Sequence, residues 1–462
     1  MSDPKKEKKS LVRRDEPVRG TKHRTSAHSG VTITGGRNVG ESKSEILPTD
    51  KQLERRVRHR IREERKDAEW ERGVVRTRSG VDRYLLLLIL VLTALGLIAL
   101  FSASYPLSIY ETSGSAGGPT GLAYIKKQLF FAGAGLAVMF VISRIPYVFY
   151  RNYGFLFYGF VFLLLFLAMF IGHGGTASAT ANGVKRWIGI QGTPFNVQPS
   201  ELMKSALIMI LAKYFEQNRE DVIDYSSGRY SYFKGVFIPF VIIGVSAAPV
   251  LVGKHLSGTF IVILIGVCIM FIGGSHFWKM AATGVAGGGA AAILYLIMNP
   301  YAFKRITTFL NPNPDVLNEE WQTTQGLYAL GSGGFLGKGF GNSTQKFSYV
   351  SDGHTDFIFT IWGEEMGFIG CIFLVGIFLL FIHRGLTIAK NAPDVFSSLL
   401  ASGIVFKIGI QVILNIMVVT DIFPNTGIPL PFFSYGGSSL IVLMAELGIL
   451  LSISKHSYQK RM

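Results

Sequence analysis

One aspartate stands where a membrane-spanning segment would begin. Asp356 comes directly before the apolar run 357–381. A carboxylate at such a boundary can accept a proton from a weakly nucleophilic hydroxyl and so act as a general base. It can also simply cap the N-terminus of the helix and interact favourably with the helix dipole. The sequence leaves both roles open for Asp356.

Two further carboxylates lie inside the same apolar run. Glu364 and Glu365 follow Asp356 by eight and nine residues. A carboxylate at this depth is costly in hydrocarbon, so it should face a polar cavity or a cationic partner. Eight helical steps of about 100° bring position 364 back to within roughly 80° of position 356. Asp356, Thr360, Gly363 and Glu364 are therefore predicted to form one polar stripe that faces inward.

Other charged residues fall in or beside apolar segments. Lys127 opens the second apolar run, and Glu201 precedes Lys204 by three residues, a spacing that allows an ion pair. Lys407 and Glu446 lie in the middle of two later runs. We interpret Lys407–Glu446 as a structural salt bridge, because a proton-coupled pump usually needs a longer chain of such groups.

The segment 331–341, GSGGFLGKGFG, resembles a phosphate-binding glycine loop. It fails as a Walker A motif, because Lys338 is followed by Gly339 and no strand precedes it. The glycines either permit tight turns and close helix approach, or they present backbone amides to an anionic head group. The histidines show no metal-ligand spacing such as HExxH, and two cysteines exclude a four-thiolate metal site.

The elements that must position these residues are membrane helices. The chain has 462 residues, of which 49% are hydrophobic and 16% charged; soluble chains carry about 25% charged residues. Apolar blocks of about 20 residues can cross a bilayer, which argues against a large soluble enzyme. The fold class is all-α, a polytopic membrane protein with about ten spans: 83–103, 124–143, 154–172, 199–215, 235–252, 257–274, 277–298, 356–383, 397–419 and 438–454.

Charge predicts the domain organisation and the orientation. Residues 1–80 hold 22 Lys/Arg and 13 Asp/Glu, a net charge of 22 − 13 = +9, and their composition predicts a disordered basic tail, in which 50–72 could form a charged helix. Basic residues in the short loops place both termini in the cytoplasm, so 81–455 is the membrane domain and 456–462 a cytoplasmic end. The tail is expected beside anionic lipid, and no cleavable signal precedes the first span. The long loop 299–355 lies outside and is expected to be an ordered lid or cavity wall.

Four stretches carry a resemblance to a known family. They are NGVKRWI at 182–188, QPSELMK at 198–204, the block from Gln325 through GNSTQK to HTDFIFTIWGEEMGFIG, and GIPLPFFSYGGSSL at 427–440. The chain resembles the SEDS proteins (shape, elongation, division and sporulation), membrane glycosyltransferases that polymerise peptidoglycan. The resemblance runs from about 82 to 455, and the motifs are most similar to the division and sporulation branch (FtsW and SpoVE) rather than the elongation branch (RodA).

The resemblance implies a role for particular residues. The family's essential aspartate falls on Asp356, and the acidic position of its GEE motif falls on Glu364. Its supporting charges fall on Glu201, Lys204 and Lys127. The chain departs from the family at 254–259, where the family's acidic residue is either replaced by Ser257 or displaced. Further candidates for substrate binding in the matching motifs are Gln345, Lys346, His354 and Ser434.

The substrate implied by the resemblance is lipid II, with undecaprenyl diphosphate as the leaving group. Lysines suit the stabilisation of a diphosphate; the candidates are Lys127, Lys204 and Lys346, with Lys338 less favoured. No organic cofactor is implied, and a divalent cation (Mg or Mn) could share the task. Expected partners are the membrane, a class B penicillin-binding protein transpeptidase and other division proteins at the septum, and no nucleic acid.

Two other classes of function are compatible with parts of the sequence. A lipid II flippase would need cavity charges that are accessible from both faces, whereas the signal here is concentrated on the outer one. A division scaffold without catalysis would suit the basic tail, but it has no need for Asp356 beside a glycine-rich loop. An assay of lipid II polymerisation with Asp356→Ala separates the enzyme from both.

Overall fold

The computed structural model describes residues 80–113, 119–173, 186–189, 196–223, 228–298, 303, 307, 309–310 and 321–457. All ten predicted membrane spans lie within these ranges. The predicted disordered tail and its charged helix at 50–72 lie outside the described residues, as do the last five residues and most of the motif at 182–188.

The described chain is helical throughout, with two isolated β-bridges, His173–Trp187 and Ile188–Val197. π-Helical turns at Phe233–Phe237 and Gly284–Gly288 continue two of the helices. The helices are α1 Arg83–Thr112, α2 Ala123–Ile142, α3 Tyr147–Ile171, α4 Pro199–Gln217, α5 Arg219–Ile223, α6 Gly228–Tyr232, α7 Ile238–Val252, α8 Leu256–Ile272, α9 Phe277–Thr283, α10 Gly289–Met298, α11 Trp321–Gly333, α12 Ile358–Lys390, α13 Val395–Val419 and α14 Gly437–Ser454.

This architecture confirms the predicted fold class. Within the described residues, eight helices are long and apolar enough to cross a membrane. Two more occupy predicted spans: α4, which carries Glu201 and Lys204, and the shorter α8. The interruption at 253–255 separates α7 from α8, as the sequence predicted. The chain is a multi-pass membrane protein.

Helices α4, α13 and α14 form the interior of the bundle. Most of their side chains are buried, and they contact one another. In contrast, α3 exposes large apolar side chains such as Phe155 and Leu156, which is what a surface facing lipid requires. The central helices are therefore the ones that can hold intramembrane charges away from hydrocarbon.

Helix α12 is broken at Gly367, which has φ 68° and ψ −170°. The break leaves backbone groups without helical partners, and the glycine-rich segment satisfies them. The amides of Lys338 and Gly339 donate to the carbonyls of Glu364 and Glu365, and the amide of Phe368 donates to the carbonyl of Gly334. Unpaired backbone groups cost several kcal/mol each inside a membrane, so this pairing is what makes the break tolerable.

The loop predicted at 299–355 contains a helix that the sequence did not predict. Helix α11 packs along α12, and close contact at Gly333 explains its position, because a Cβ there would clash with the carbonyl oxygen of Gly363. Its sequence, WQTTQGLYALGSG, is weakly periodic, so its helical form depends on packing against α12 rather than on an amphipathic pattern.

Candidate active site

The backbone of His354–Asp356 is held by three long-range hydrogen bonds. The amide of Tyr435 donates to the carbonyl of His354 at 3.0 Å. The hydroxyl of Ser434 donates to the carbonyl of Thr355 at 2.5 Å. The side-chain amide of Asn415 donates to the carbonyl of Asp356 at 2.7 Å. Three successive carbonyls are thus fixed from outside the segment, so the direction of the half-buried Asp356 side chain is determined by its neighbours.

These bonds come from two elements that the tertiary fold brings together. Asn415 is fully buried near the end of α13, and it also donates to the carbonyl of Ile428 at 2.7 Å. Asn415 therefore joins the Asp356 backbone to the segment 420–436. In that segment Gly427 has φ +68°, and a Cβ built there would lie 3.4 Å from Oδ2 of Asp356. The carboxylate lies against this exposed stretch of backbone.

Helix α12 begins at Ile358, with Phe357 at its N-cap position, and the Phe357 side chain makes no capping hydrogen bond. Asp356 therefore lies one residue before the N-cap position. The prediction that Asp356 and Glu364 share one helix face assumed that both lie on the helix. Asp356 precedes the helix, so this prediction does not apply to it. The hydroxyl of Thr360 donates back to the carbonyl of Phe357, so the predicted polar stripe is not formed as one surface.

Aromatic rings flank His354 two residues before Asp356. Its ring is edge-on to Tyr124 at 5.0 Å, and Tyr124 is edge-on to Tyr435 at 4.9 Å. Burial lowers the pKa of His354, although Asp352 and Glu111 oppose the effect. The lowered pKa of His354 favours its neutral ring, which carries no positive charge for a diphosphate.

Glu364 anchors the glycine-rich segment. Its carboxylate is fully buried and forms an ion pair with Lys338 at 2.6 Å. It also accepts hydrogen bonds from the Ser343 hydroxyl at 2.5 Å, the Thr344 hydroxyl at 2.8 Å and the Gln345 amide at 3.2 Å. These donors are aimed at an internal anion, which supports the interpretation that the segment serves close packing rather than binding an external phosphate.

The second carboxylate of the pair has its own cation. Lys346 is buried and lies 3.1 Å from Glu365, and it donates to the Gly341 carbonyl at 2.6 Å and to the Ser102 hydroxyl at 3.2 Å. Ser102 in turn donates to Glu365 at 2.6 Å, which ties α1 to the segment. Lys346 is thereby committed to a structural contact and does not face an open surface.

The other predicted intramembrane pairs are formed in the bundle interior. Lys204 lies 2.6 Å from Glu201, and Lys407 lies 2.6 Å from Glu446, which also accepts from Ser205. Both predicted salt bridges are confirmed. Glu201 and Lys407 line a small cavity, together with Gln411, Ser434, Ser439, the segment 429–432 and two leucines.

The remaining candidates differ in exposure. Lys127 is exposed at the start of α2, whereas its neighbour Gln128 is buried and accepts from the amide of Gly436 at 3.3 Å. Gln345 contacts Glu364 through its backbone amide, and its side-chain oxygen is buried without a hydrogen-bond partner among the described residues. Of the predicted phosphate-binding lysines, Lys127 and Lys338 are exposed, and Lys338 is paired with Glu364.

A metal would find few ligands here. Across the described ranges, no group of three His, Cys, Asp or Glu side chains is placed to hold an ion. Near Asp356, the Asp356 carboxylate and the Thr355 hydroxyl, which lie 3.1 Å apart, could coordinate a metal through oxygen. Mg²⁺ is often held by one or two carboxylates plus substrate phosphates, so this donor set fits only a cation that arrives with a diphosphate.

Sequence reasoning missed the residues that position Asp356 from a distance. In the sequence, Asn415 stands out only for sharing a helix face with Lys407 and Gln411. The contacts of Tyr435 with His354 and of Asn425 with Gly427 were not predicted. The available signal was a buried amide in an apolar helix, which requires hydrogen-bond partners.

Comparison with known proteins decides the family. The model of the family FTSW_RODA_SPOVE, described as cell cycle protein, matches residues 82–459. The chain belongs to this family. It is 38% identical over 385 residues to stage V sporulation protein E of Bacillus subtilis (strain 168), covering 82% of this chain and 98% of that protein. It is 35% identical over 378 residues to the probable peptidoglycan glycosyltransferase FtsW of Geobacter sp. (strain M18), covering 81% and 97%.

Solved structures of this family share the fold. A chain from a study of how a peptidoglycan synthase complex coordinates polymerization and crosslinking matches with a TM-score of 0.62 at 26% identity, covering 81% of this chain and 97% of that one. The rod shape determining protein RodA of Thermus thermophilus matches with a TM-score of 0.58 at 26% identity, covering 82% and 98%. The predicted SEDS membership is confirmed.

Proposed function

We propose that this chain polymerises peptidoglycan glycan strands from lipid II, with Asp356 as the base that activates the acceptor sugar. The chain is a peptidoglycan glycosyltransferase of the FtsW/RodA/SpoVE family. The observation that supports Asp356 as its base is the arrangement around that residue. Three carbonyls are held by Tyr435, Ser434 and Asn415, while the carboxylate remains half-buried beside exposed Gly427.

The reaction is a displacement at a sugar carbon. The 4-hydroxyl of the acceptor GlcNAc attacks the anomeric carbon of the growing lipid-linked chain. A new C–O bond forms as the bond to the diphosphate breaks, and Asp356 takes the hydroxyl proton. A positioned base of this kind contributes about 10²–10⁴-fold. Attack in one step inverts the anomeric configuration, so an α-linked donor gives a β-1,4 glycan.

The leaving diphosphate needs positive charge. Lys204 and Lys346 are buried in ion pairs with Glu201 and Glu365, and Lys338 pairs with Glu364. Exposed Lys127 is the candidate that is available to an incoming anion. If a divalent cation binds, Asp356 would hold it, and it would supply further charge neutralisation for the diphosphate.

The same proposal includes the setting of the reaction. The Asp356 end of the bundle faces the cell wall, and both termini are cytoplasmic. A class B penicillin-binding protein would crosslink the new strands beside it, and other division proteins would recruit both to the septum. In the two intramembrane pairs, Glu201–Lys204 and Lys407–Glu446, each charge is neutralised by its own partner. This arrangement does not support a transport relay.

The test is polymerisation of lipid II by purified protein with its transpeptidase partner. Asp356→Ala should abolish polymer formation without lowering expression or thermal stability, because the side chain supplies the base and not the packing. Asp352→Ala, an exposed aspartate four residues earlier on the same segment, should retain wild-type activity. Polymer formation by Asp356→Ala at the wild-type rate would remove the base from this proposal.

A further inference from the structure

Beside Asp356 lies a short uncharged strip that none of the steps above uses. We call Gln322, Asn425, Thr426 and Gly427 the amide strip. The side-chain oxygen of Asn425 accepts from the amide of Gly427 at 3.3 Å, and its nitrogen donates to the side-chain oxygen of Gln322 at 3.4 Å. Because Gly427 lies against the Asp356 carboxylate, these contacts connect the start of α11 to the candidate base.

Two polar atoms in the amide strip have no partner among the described residues. They are the side-chain nitrogen of Gln322 and the hydroxyl oxygen of Thr426. A buried polar atom without a hydrogen bond is costly, and most such atoms in proteins are paired. Both side chains are half-buried, and the two polar atoms are themselves covered, so a ligand can pair with them once their side chains rotate outward.

The backbone of the amide strip is held from two sides. The hydroxyl of Ser257, at the start of α8, donates to the carbonyl of Thr426, and Asn415 holds the carbonyl of Ile428 at 2.7 Å. The Ser257 hydroxyl thus fixes the backbone of the amide strip without adding charge.

The chemistry of the amide strip suits a sugar rather than a phosphate. Side-chain amides and a hydroxyl can both donate and accept, as can the hydroxyl and acetamido groups of GlcNAc. A diphosphate needs cations, and the amide strip has none. A sugar whose 4-hydroxyl approaches the Asp356 carboxylate on its Gly427 side brings its neighbouring groups to the amide strip.

We propose that Gln322, Asn425 and Thr426 form the acceptor subsite, which binds the GlcNAc that Asp356 deprotonates. This assignment rests on the proposed function and adds the residues that select and hold the acceptor sugar. The Gln322 nitrogen and the Thr426 hydroxyl bind the sugar directly. Asn425 orients Gln322 and Gly427, and so acts as a positioning residue.

The experiment separates acceptor from donor. A lipid II whose 4-hydroxyl is capped can donate but cannot accept, so at saturating capped donor the initial rate of coupling to uncapped lipid II reports the acceptor. Thr426→Val is isosteric, and Gln322→Ala removes the amide. Each should raise the KM for the acceptor about 2- to 10-fold through one lost neutral hydrogen bond, and leave the KM for the capped donor unchanged.

The control is Thr420→Val, in the same segment. The Thr420 hydroxyl donates to the Ile416 carbonyl within its own helix, and it is not part of the site. Its KM for both substrates should be that of the wild type. If Gln322→Ala lowers the melting temperature, Thr426→Val alone decides the outcome.

The possible failures are distinguishable. An unchanged acceptor KM in the Gln322→Ala/Thr426→Val double variant overturns the subsite while leaving the activity of the enzyme intact. A rise in the donor KM alone also overturns it, because the amide strip would then hold the other sugar. Polymerisation by Asp356→Ala would instead overturn the proposed base, whatever the two strip variants do.

Discussion

Asn415 offers the most direct test of how the fold positions the candidate base. The change is Asn415→Leu, which keeps the size of the side chain and removes its donor. The Asn415 amide makes two hydrogen bonds of 2.7 Å, to the carbonyls of Asp356 and Ile428. A buried carbonyl left unpaired costs about 1–3 kcal/mol. The Ile428 carbonyl is buried and the Asp356 carbonyl is partly buried, so losing both bonds favours a shift of the segment by about 6 kcal/mol at most.

The expected effect on catalysis is set by geometry. A displacement of about 1 Å between reacting groups can cost about 100-fold in rate. We expect Asn415→Leu to lower kcat about 100-fold. The KM for the acceptor should also rise, because Asn415 holds the Ile428 carbonyl next to the proposed acceptor subsite. Asn415→Ser keeps one donor and should recover part of the loss.

The measurement is steady-state polymerisation by purified variants, with the melting temperature recorded in parallel. Ile413→Ala is a matched control, because Ile413 lies two residues earlier on the same helix and exposes its side chain. A kcat within about twofold of the wild type in folded Asn415→Leu would refute the positioning argument. So would a loss that appears only in KM.

Two further predictions test the packing that supports the site. Gly367→Ala should lower the free energy of unfolding by at least about 1–3 kcal/mol, because the Gly367 backbone lies in a region reserved for glycine and a Cβ would clash with the amide of Gly337. The control is Gly376→Ala on the same helix, where a Cβ would meet no atom within 4 Å, so its melting temperature should equal that of the wild type. Equal melting temperatures for the two variants would contradict the strain argument. Lys407→Met should destabilise the protein by about 3–5 kcal/mol, because it leaves Glu446 buried without its cation. Adding Glu446→Leu should restore most of the lost stability in the same assay. No recovery would show that the pair does more than neutralise its two charges.

The local features of this protein could be predicted from its sequence. The apolar runs determine the positions of the helices, because spanning a bilayer requires about 20 apolar residues wherever the chain crosses. The Glu201–Lys204 pair follows from a spacing of three residues on one helix. Asp356 stands out as a carboxylate at the boundary of an apolar run, where it can act as a base or cap the helix.

Contacts between distant segments were decided only by the tertiary structure. Glu364 and Lys346 are internal anchors because the glycine-rich segment folds back onto the break at Gly367, a pairing that no helical periodicity contains. Likewise, Asn415 reaches the carbonyl of Asp356 across 59 residues of chain. Sequence spacing reports on neighbours within one helix, whereas the direction of Asp356 depends on which helices meet, and that is a property of the packed bundle.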